Sequence, residues 1–290
     1  MYSANFDYHR ARSLADVQKL LAANPGAKLL AGGHSLIPLM KLRLATPPAL
    51  VDIGRIPELR GIARRGDTIR IGSLTTHAEL AASADLQKSA AALAEAAGLV
   101  GDPAVRSRGT IGGNIAHADP ASDLPAVLVA LNASIVAIGP SGERTVAADG
   151  FFTGIMTTAL ADNEVVTAIV VPVSVRGQGS AYVKFEHPAS RYAVIGAAAS
   201  VTMAGNTCSG ARIALGGLVP HATRAQAVEK ALTGKPLDTA TIAAAASQVS
   251  SDLGGEVTGD IFASAAYRTA VAPVYVKRAI AAAAARAGLA

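Results

Sequence analysis

One cysteine, Cys208, and no tryptophan occur in 290 residues. A single thiol excludes an intrachain disulfide, a thiolate-held iron–sulfur cluster and a cysteine-rich zinc site, because each needs at least two. Any metal centre of the same system is therefore expected on another chain. The six histidines are dispersed, with no H-E-x-x-H spacing, and are read as structural or solvent-facing. Aromatic residues make up 4% of the chain, too few for base-stacking platforms, and the net charge of +5 is scattered, its densest point being the pair Arg64 and Arg65. Nucleic acid is not an expected partner; the excess charge suits an anionic ligand or an acidic partner surface. The sequence also lacks an apolar run of about 18 residues and a basic-then-apolar leader, so the expectation is a cytoplasmic protein without a membrane span. G-x-G-x-x-G and G-x-x-x-x-G-K-S/T are absent, which argues against a Rossmann dinucleotide site and a P-loop.

The 51% hydrophobic content supports a substantial core and, at this length, two domains. Residues 1–55 read as strand, helix, strand, loop, strand. Ser13 and Asp16 resemble a capping box that opens a helix of about ten residues, closed near Asn24, Pro25 and Gly26. A short strand over 28–31 ends at Gly32 and Gly33, a helical turn follows over 38–44, and another strand covers 49–53. A strand from Thr68 runs into a threonine-rich turn and then alanine-rich helices from His77 to about Val100. A helix is expected near 124–131, with strands over 134–138 and 164–171. Pro172 and the Gly177-Gln178-Gly179 stretch mark the boundary between residues 1–176, divisible at about 55, and residues 177–290. The second part reads as antiparallel strands over 181–186, 193–203 and 209–215, then three helices over 224–232, 239–249 and 262–287.

Two glycine segments carry the chemistry: Ala31-Gly32-Gly33-His34-Ser35 and Thr110-Ile111-Gly112-Gly113-Asn114. Adjacent glycines permit positive φ and remove the Cβ, so successive N–H groups can converge on an anion. Ser35, Thr110 and Asn114 add side-chain donors. Two such loops facing one another suit a diphosphate, although a glycine pair by itself is also an ordinary turn. The residues alone lead as far as a two-loop anion site that is not of the Rossmann kind.

The longer segments A-G-G-H-S-L-I-P-L-M-K-L-R-L-A at 31–45 and T-I-G-G-N-I-A-H-A-D-P-A-S-D-L-P at 110–125 resemble the two FAD pyrophosphate signatures of the xanthine dehydrogenase family. The likeness is nearest to the separate medium subunits of the carbon monoxide and aldehyde dehydrogenases. It extends to G-G-L-V-P-H-A-T-R-A at 216–225 and S-A-A-Y-R at 264–268. The resemblance implies an α+β chain: a vanillyl-alcohol-oxidase-type (PCMH-type) FAD-binding domain of two α/β subdomains, followed by an antiparallel sheet with helices. It also implies partners, a large subunit with a molybdopterin cofactor and a small subunit with two two-iron two-sulfur clusters, assembled as a dimer of heterotrimers. The lone cysteine agrees with that division of labour.

Carried onto this sequence, the resemblance implies that Ala31, Gly32, Gly33, His34 and Ser35, with Thr110, Ile111, Gly112, Gly113 and Asn114, bind the FAD diphosphate chiefly through backbone N–H groups. Asp123 matches a position that contacts the ribose of the adenosine half, its other reading being an N-cap for the helix from Leu124. Lys184 matches a lysine beside the isoalloxazine, where a fixed cation stabilises reduced flavin; otherwise it is a solvated lysine on a strand. Tyr192 lies where a group packs near the ring, or else packs in the core, and Arg191 stands before it where an acidic residue is usual. His34 and His117 are read as loop-shaping. The implied activity is electron transfer from the partner's clusters to an external acceptor, whether quinone, NAD or oxygen. A stand-alone FAD oxidase and a non-catalytic flavin-binding assembly protein are the other readings.

Overall fold

Apolar segments bounded by glycine and proline build three main sheets in a computed structural model that describes residues 2–288. The first is parallel, in the order β1–β3–β2, from β1 (Asp7–Arg10), β2 (Lys28–Leu30) and β3 (Ala49–Asp52). Parallel strands need crossovers, and helices α1 (Leu14–Ala23) and α2 (Leu36–Lys41) lie in them. The Asp16 N–H donates to Ser13 Oγ at 3.2 Å, as the cap in the sequence predicts, and Val17 and Leu21 turn inward beside Val51 and Ile53.

The second sheet is antiparallel, in the order β4–β5–β10–β6–β7. Its strands are β4 (Ile62–Arg65), β5 (Thr68–Gly72), β6 (Ser134–Gly139), β7 (Gly142–Ala147) and β10 (Val165–Pro172); the hairpin β8 (Phe152–Gly154) and β9 (Thr157–Thr158) precedes β10. The near-continuous apolar run of β10 occupies the middle of the sheet, where both faces are covered. Six helices separate β5 from β6: α3 (His77–Ala82), α4 (Ala84–Ser89), α5 (Ala91–Leu99), α6 (Pro103–Arg106), α7 (Ile111–His117) and α8 (Asp123–Ala130). Leu80, Leu93, Ile111 and Leu128 from these helices share one core with Ile69, Ile71 and Ile169 of the sheet.

The third sheet, β11 (Gln178–Glu186), β12 (Ala193–Ala204), β13 (Thr207–Gly216) and β14 (Thr223–Arg224), is an antiparallel meander. It packs with helices α9 (Gln226–Leu232), α10 (Thr239–Ala246), α11 (Val249–Asp252) and the 24-residue α12 (Ala265–Gly288). Tyr182, Ala198 and Ala214 of this sheet enter the core formed by α5 and α8, so the two parts of the chain are bonded by burial rather than tethered by a linker. The architecture is α+β, the class expected. Among the described residues no helix is long and apolar enough to cross a membrane.

Candidate functional site

Residues 31–35 leave β2, and Gly33 takes φ +74°, which reverses the chain and starts α2. A β-carbon there would also lie 2.7 Å from Ile37 Cδ1. The Ile37 N–H closes the turn on the Gly33 carbonyl at 3.0 Å, and His34 Nδ1 sits 3.1 Å from the Gly32 carbonyl, a local contact that shapes the loop. Among the described residues, the N–H groups of Gly32, Gly33, His34 and Ser35 have no protein acceptor, and the Ser35 side chain caps nothing. Successive unspent N–H groups around a left-handed residue form an anion-binding concavity.

The second segment is not a loop. Residues 111–117 form helix α7, with Thr110 as its N-cap, and the donors expected to face a ligand are largely spent inside the protein. The Ile111 N–H donates to Thr75 O at 3.0 Å, Gly112 N–H to Ser73 O at 2.8 Å, and Asn114 N–H to Thr110 O at 2.9 Å. Gly113 N–H donates to Thr110 Oγ1 at 3.2 Å. The reason is the strand–turn that precedes α3: its carbonyls lie alongside 110–112 and take these N–H groups, a long-range contact that local glycine chemistry does not reveal. Side-chain donors remain. Thr110 Oγ1 accepts from Gly113 and keeps its own proton to donate, while Asn114 Oδ1 accepts from Ser122 Oγ at 2.8 Å and leaves its NH₂ group to donate.

The two segments meet. A β-carbon on Gly32 would collide with the Arg108 carbonyl, and one on Gly113 would stand 3.9 Å from Ala31 Cβ. Residues 31–35 and, from the second segment, Thr110, Gly112, Gly113 and Asn114 line one cleft of about 940 Å³, whose walls also include Ser73, His77, His117, Asp123 and Tyr192; Ile111 is buried in the core instead. That volume is at the upper end of the range for small-molecule and cofactor sites, roughly 300–1,000 Å³.

Asp123 and Lys184, which the resemblance assigns to different ends of the ligand, are bonded to each other. Lys184 Nζ donates to Asp123 Oδ2 at 3.0 Å and to the Leu99 carbonyl at 3.2 Å; Tyr182 OH donates to Asp123 Oδ1 at 2.6 Å. Burial pushes the Asp123 carboxyl up to about 6, against the opposing pull of Lys184 and Tyr182. Asp123 is the first residue of α8 rather than its cap, which is Ser122. It reaches the cleft, whereas Lys184 is not among the lining residues. Tyr192, half-exposed on the cleft wall, ends the turn between β11 and β12; burial, then Asp119 and Asp123, raise its phenol above the ordinary value. Arg191 before it takes φ +60° and pairs with Glu186 at 3.3 Å.

Family models fit the chain on both sides of this site. Residues 4–174 match the FAD binding domain in molybdopterin dehydrogenase, and residues 180–283 match the CO dehydrogenase flavoprotein C-terminal domain. The chain belongs to the FAD-binding family of the molybdopterin dehydrogenases. It is 45% identical to the carbon monoxide dehydrogenase medium chain of Hydrogenophaga pseudoflava, covering 99% of each, and 34% identical to the nicotine 6-hydroxylase medium subunit of Paenarthrobacter nicotinovorans, covering 96% and 97%. The solved carbon monoxide dehydrogenase from Hydrogenophaga pseudoflava superposes with a TM-score of 0.94 at 46% identity, over 99% of each chain. Quinoline 2-oxidoreductase from Pseudomonas putida 86 superposes at 0.92, with 32% identity over 99% of each.

As a member of the molybdopterin dehydrogenase FAD family, the chain is an oxidoreductase subunit whose cofactor is FAD. Its cleft suits that group. The unspent N–H groups of 32–35 fit an anion; Ser73 and His77 also line the cleft, their Oγ and Nδ1 atoms buried beneath its surface without a partner in the protein. Burial first, then the nearby His34 and Arg106, depresses His77 to about 4, so its imidazole is neutral at neutral pH. Sequence reasoning passed over both residues. The T-T-H-A-E run does signal a capping box, and the structure has one between Thr76 and Glu79, but nothing local shows that the His77 ring lies against Gly109.

Two further segments of the resemblance turn out to brace the site. The Gly217 N–H donates to the Pro120 carbonyl at 2.8 Å, holding the segment between α7 and α8. Arg268, 5% exposed, donates to the carbonyls of Gly217 at 2.7 Å, Val194 at 3.2 Å and Ala263 at 3.1 Å, and pairs with Asp260.

Proposed function

We propose that this FAD subunit is the electron relay of a heterotrimeric molybdenum hydroxylase, accepting electrons from two-iron two-sulfur clusters on a small subunit and passing them to an external acceptor. The observation that carries the reading is the pairing of a dinucleotide-sized cleft with a chain whose only thiol, Cys208, is buried. Such a chain can hold a flavin and cannot hold a thiolate cluster, so the upstream centres, including the molybdopterin cofactor of a large subunit, belong to partners. Names of the medium chains it resembles support a multi-subunit assembly; the assembly proposed is a dimer of heterotrimers in the cytoplasm. The acceptor is a quinone, NAD or oxygen.

Within the cleft, residues 31–35 hold the diphosphate through backbone N–H groups, and Thr110 and Asn114 add side-chain donors. Asp123 contacts the ribose of the adenosine half and Tyr192 packs near the ring, with Lys184 acting through Asp123. The bound FAD supplies the one- and two-electron chemistry that side chains lack. The residues position it and shield it. The test is cofactor analysis of the natively purified complex: this chain is expected to carry one non-covalent FAD, released by acid. A complex whose FAD sits on another chain, or whose turnover with the acceptor is indifferent to FAD removal, would overturn the reading.

A further inference from the structure

We infer that His187 is a positioning residue of the site: its imidazole Nδ1 fixes the turn between β11 and β12 and so holds Tyr192 in place against the isoalloxazine; the inference rests on the FAD reading of the cleft. β11 ends at Glu186 and β12 begins at Ala193, which leaves residues 187–192 to make the connection. Ser190, Arg191 and Tyr192 of this stretch line the cleft, whereas His187 does not. It therefore acts through its neighbours. The His187 N–H donates to the Tyr192 carbonyl at 2.9 Å, and the Arg191 N–H to the His187 carbonyl at 2.8 Å, closing the base of the turn. The crest is held by the ring, because the N–H groups of Ala189 and Ser190 both donate to His187 Nδ1 at 3.2 Å. Nδ1 offers its lone pair to both, so the ring proton sits on Nε2.

This turn needs such a tie. Arg191 takes φ +60°, a left-handed backbone that a residue with a β-carbon keeps only when its surroundings impose it. Residues 188–192 are exposed, so core packing does not impose it. The ring of His187 is itself fixed. Its centroid lies 4.6 Å from that of Phe262, Phe262 meets Phe185, and Phe185 stacks on Tyr275 of α12 at 5.5 Å and 13°. The Phe262 N–H donates to Asp260 Oδ1 at 2.8 Å, and Asp260 pairs with Arg268, the side chain that also holds the Val194 and Gly217 carbonyls. Contacts thus run without a break from the last helix to the imidazole, and through Nδ1 to the turn that ends in Tyr192. On the far side of Tyr192, the Ala193 N–H donates to the Ala121 carbonyl at 3.1 Å and sets the turn against the segment between α7 and α8.

The test uses the full-length chain in its native complex, stripped of flavin and titrated separately with FAD and with ADP, which lacks the isoalloxazine. His187→Leu keeps an apolar group on Phe262 but removes the acceptor. It is expected to weaken FAD binding roughly threefold to tenfold, the scale of a lost aromatic contact, with ADP binding unchanged. Tyr192→Ala should do the same, and the double variant should bind no more weakly than Tyr192→Ala alone, because both changes remove one contact. His187→Asn, whose amide oxygen stands near the Nδ1 position, should restore the affinity for FAD. Phe262→Ala, at a half-exposed side chain, should repeat the pattern in smaller measure, and it carries the test if His187→Leu does not fold. Full FAD affinity in the variants, or additive losses in the double variant, would overturn the proposal and leave the FAD site standing. Equal weakening of FAD and ADP would place the effect away from the ring and overturn it too, whereas a wild-type complex that takes up neither ligand would sink the reading of the cleft itself.

Discussion

Lys184 Nζ lies 3.0 Å from Asp123 Oδ2, with the two side chains only 2% and 5% exposed. One residue is on β11 and the other on α8, so the pair joins the third sheet to the FAD-binding region beside the cleft. Removing one partner of a buried pair leaves an uncompensated charge and costs about 3–5 kcal/mol, whereas replacing both by apolar groups is often close to neutral. Asp123→Leu and Lys184→Met should each be strongly destabilising, and the double variant should be more stable than either. Chemical denaturation of the four proteins measures this; additive losses would show that the two groups are not coupled.

Gly113→Val and Gly33→Val should both lower FAD occupancy, but only Gly113→Val should do so cleanly. Gly113 has an ordinary helical backbone; a β-carbon there would press on the Thr110 side chain at 3.0 Å and face Ala31 at 3.9 Å, with no left-handed strain. Gly33, at φ +74°, adds left-handed strain of about 1–2 kcal/mol for any residue with a β-carbon. Flavin content per chain, read beside the melting temperature of the stripped protein, separates the two effects. Full flavin in Gly113→Val would remove the second segment from the site.

His77 gives the stripped chain a pH dependence. Its folded value of about 4 lies below the ordinary 6.5, so the unfolded state binds more protons between those values. This contribution is therefore fully present above 6.5 and is lost as pH falls through about 4, to the extent of roughly 3 kcal/mol. Asp123 works in the opposite sense: raised to about 6, it contributes stability at low pH that is lost as pH rises through that value. Comparison of wild type with His77→Leu isolates the histidine. The wild-type chain should lose more stability on acidification from neutral pH than the variant; parallel curves would contradict the assignment.

The sequence made the buried parts of the fold legible and the edges illegible. The apolar run of β10, the Ser13 cap and the long strands β11 to β13 were all expected, because burial and capping leave local marks. Strands β4 and β7 were not. Both are outer strands of their sheet and largely exposed, and each sends only one side chain, Ile62 or Val146, against the core, so neither shows a clear alternation or apolar run. The first glycine segment behaves as its local chemistry predicts. The second became the start of a helix, because carbonyls at Ser73 and Thr75 take its N–H groups from a distance in sequence that no motif records. The same kind of contact hid the Asp123–Lys184 pair, which spans 61 residues, and the unpartnered side chains of Ser73 and His77.

The relay account is tested most directly by stopped-flow spectroscopy of the assembled complex, with and without FAD on this chain. The account predicts that reducing substrate bleaches the partner's iron–sulfur clusters at the same rate in both preparations, while steady turnover with the physiological acceptor collapses only where FAD is missing. Undiminished turnover in the FAD-free complex, or turnover of the organic substrate by this chain alone at the rate of the whole complex, would contradict it.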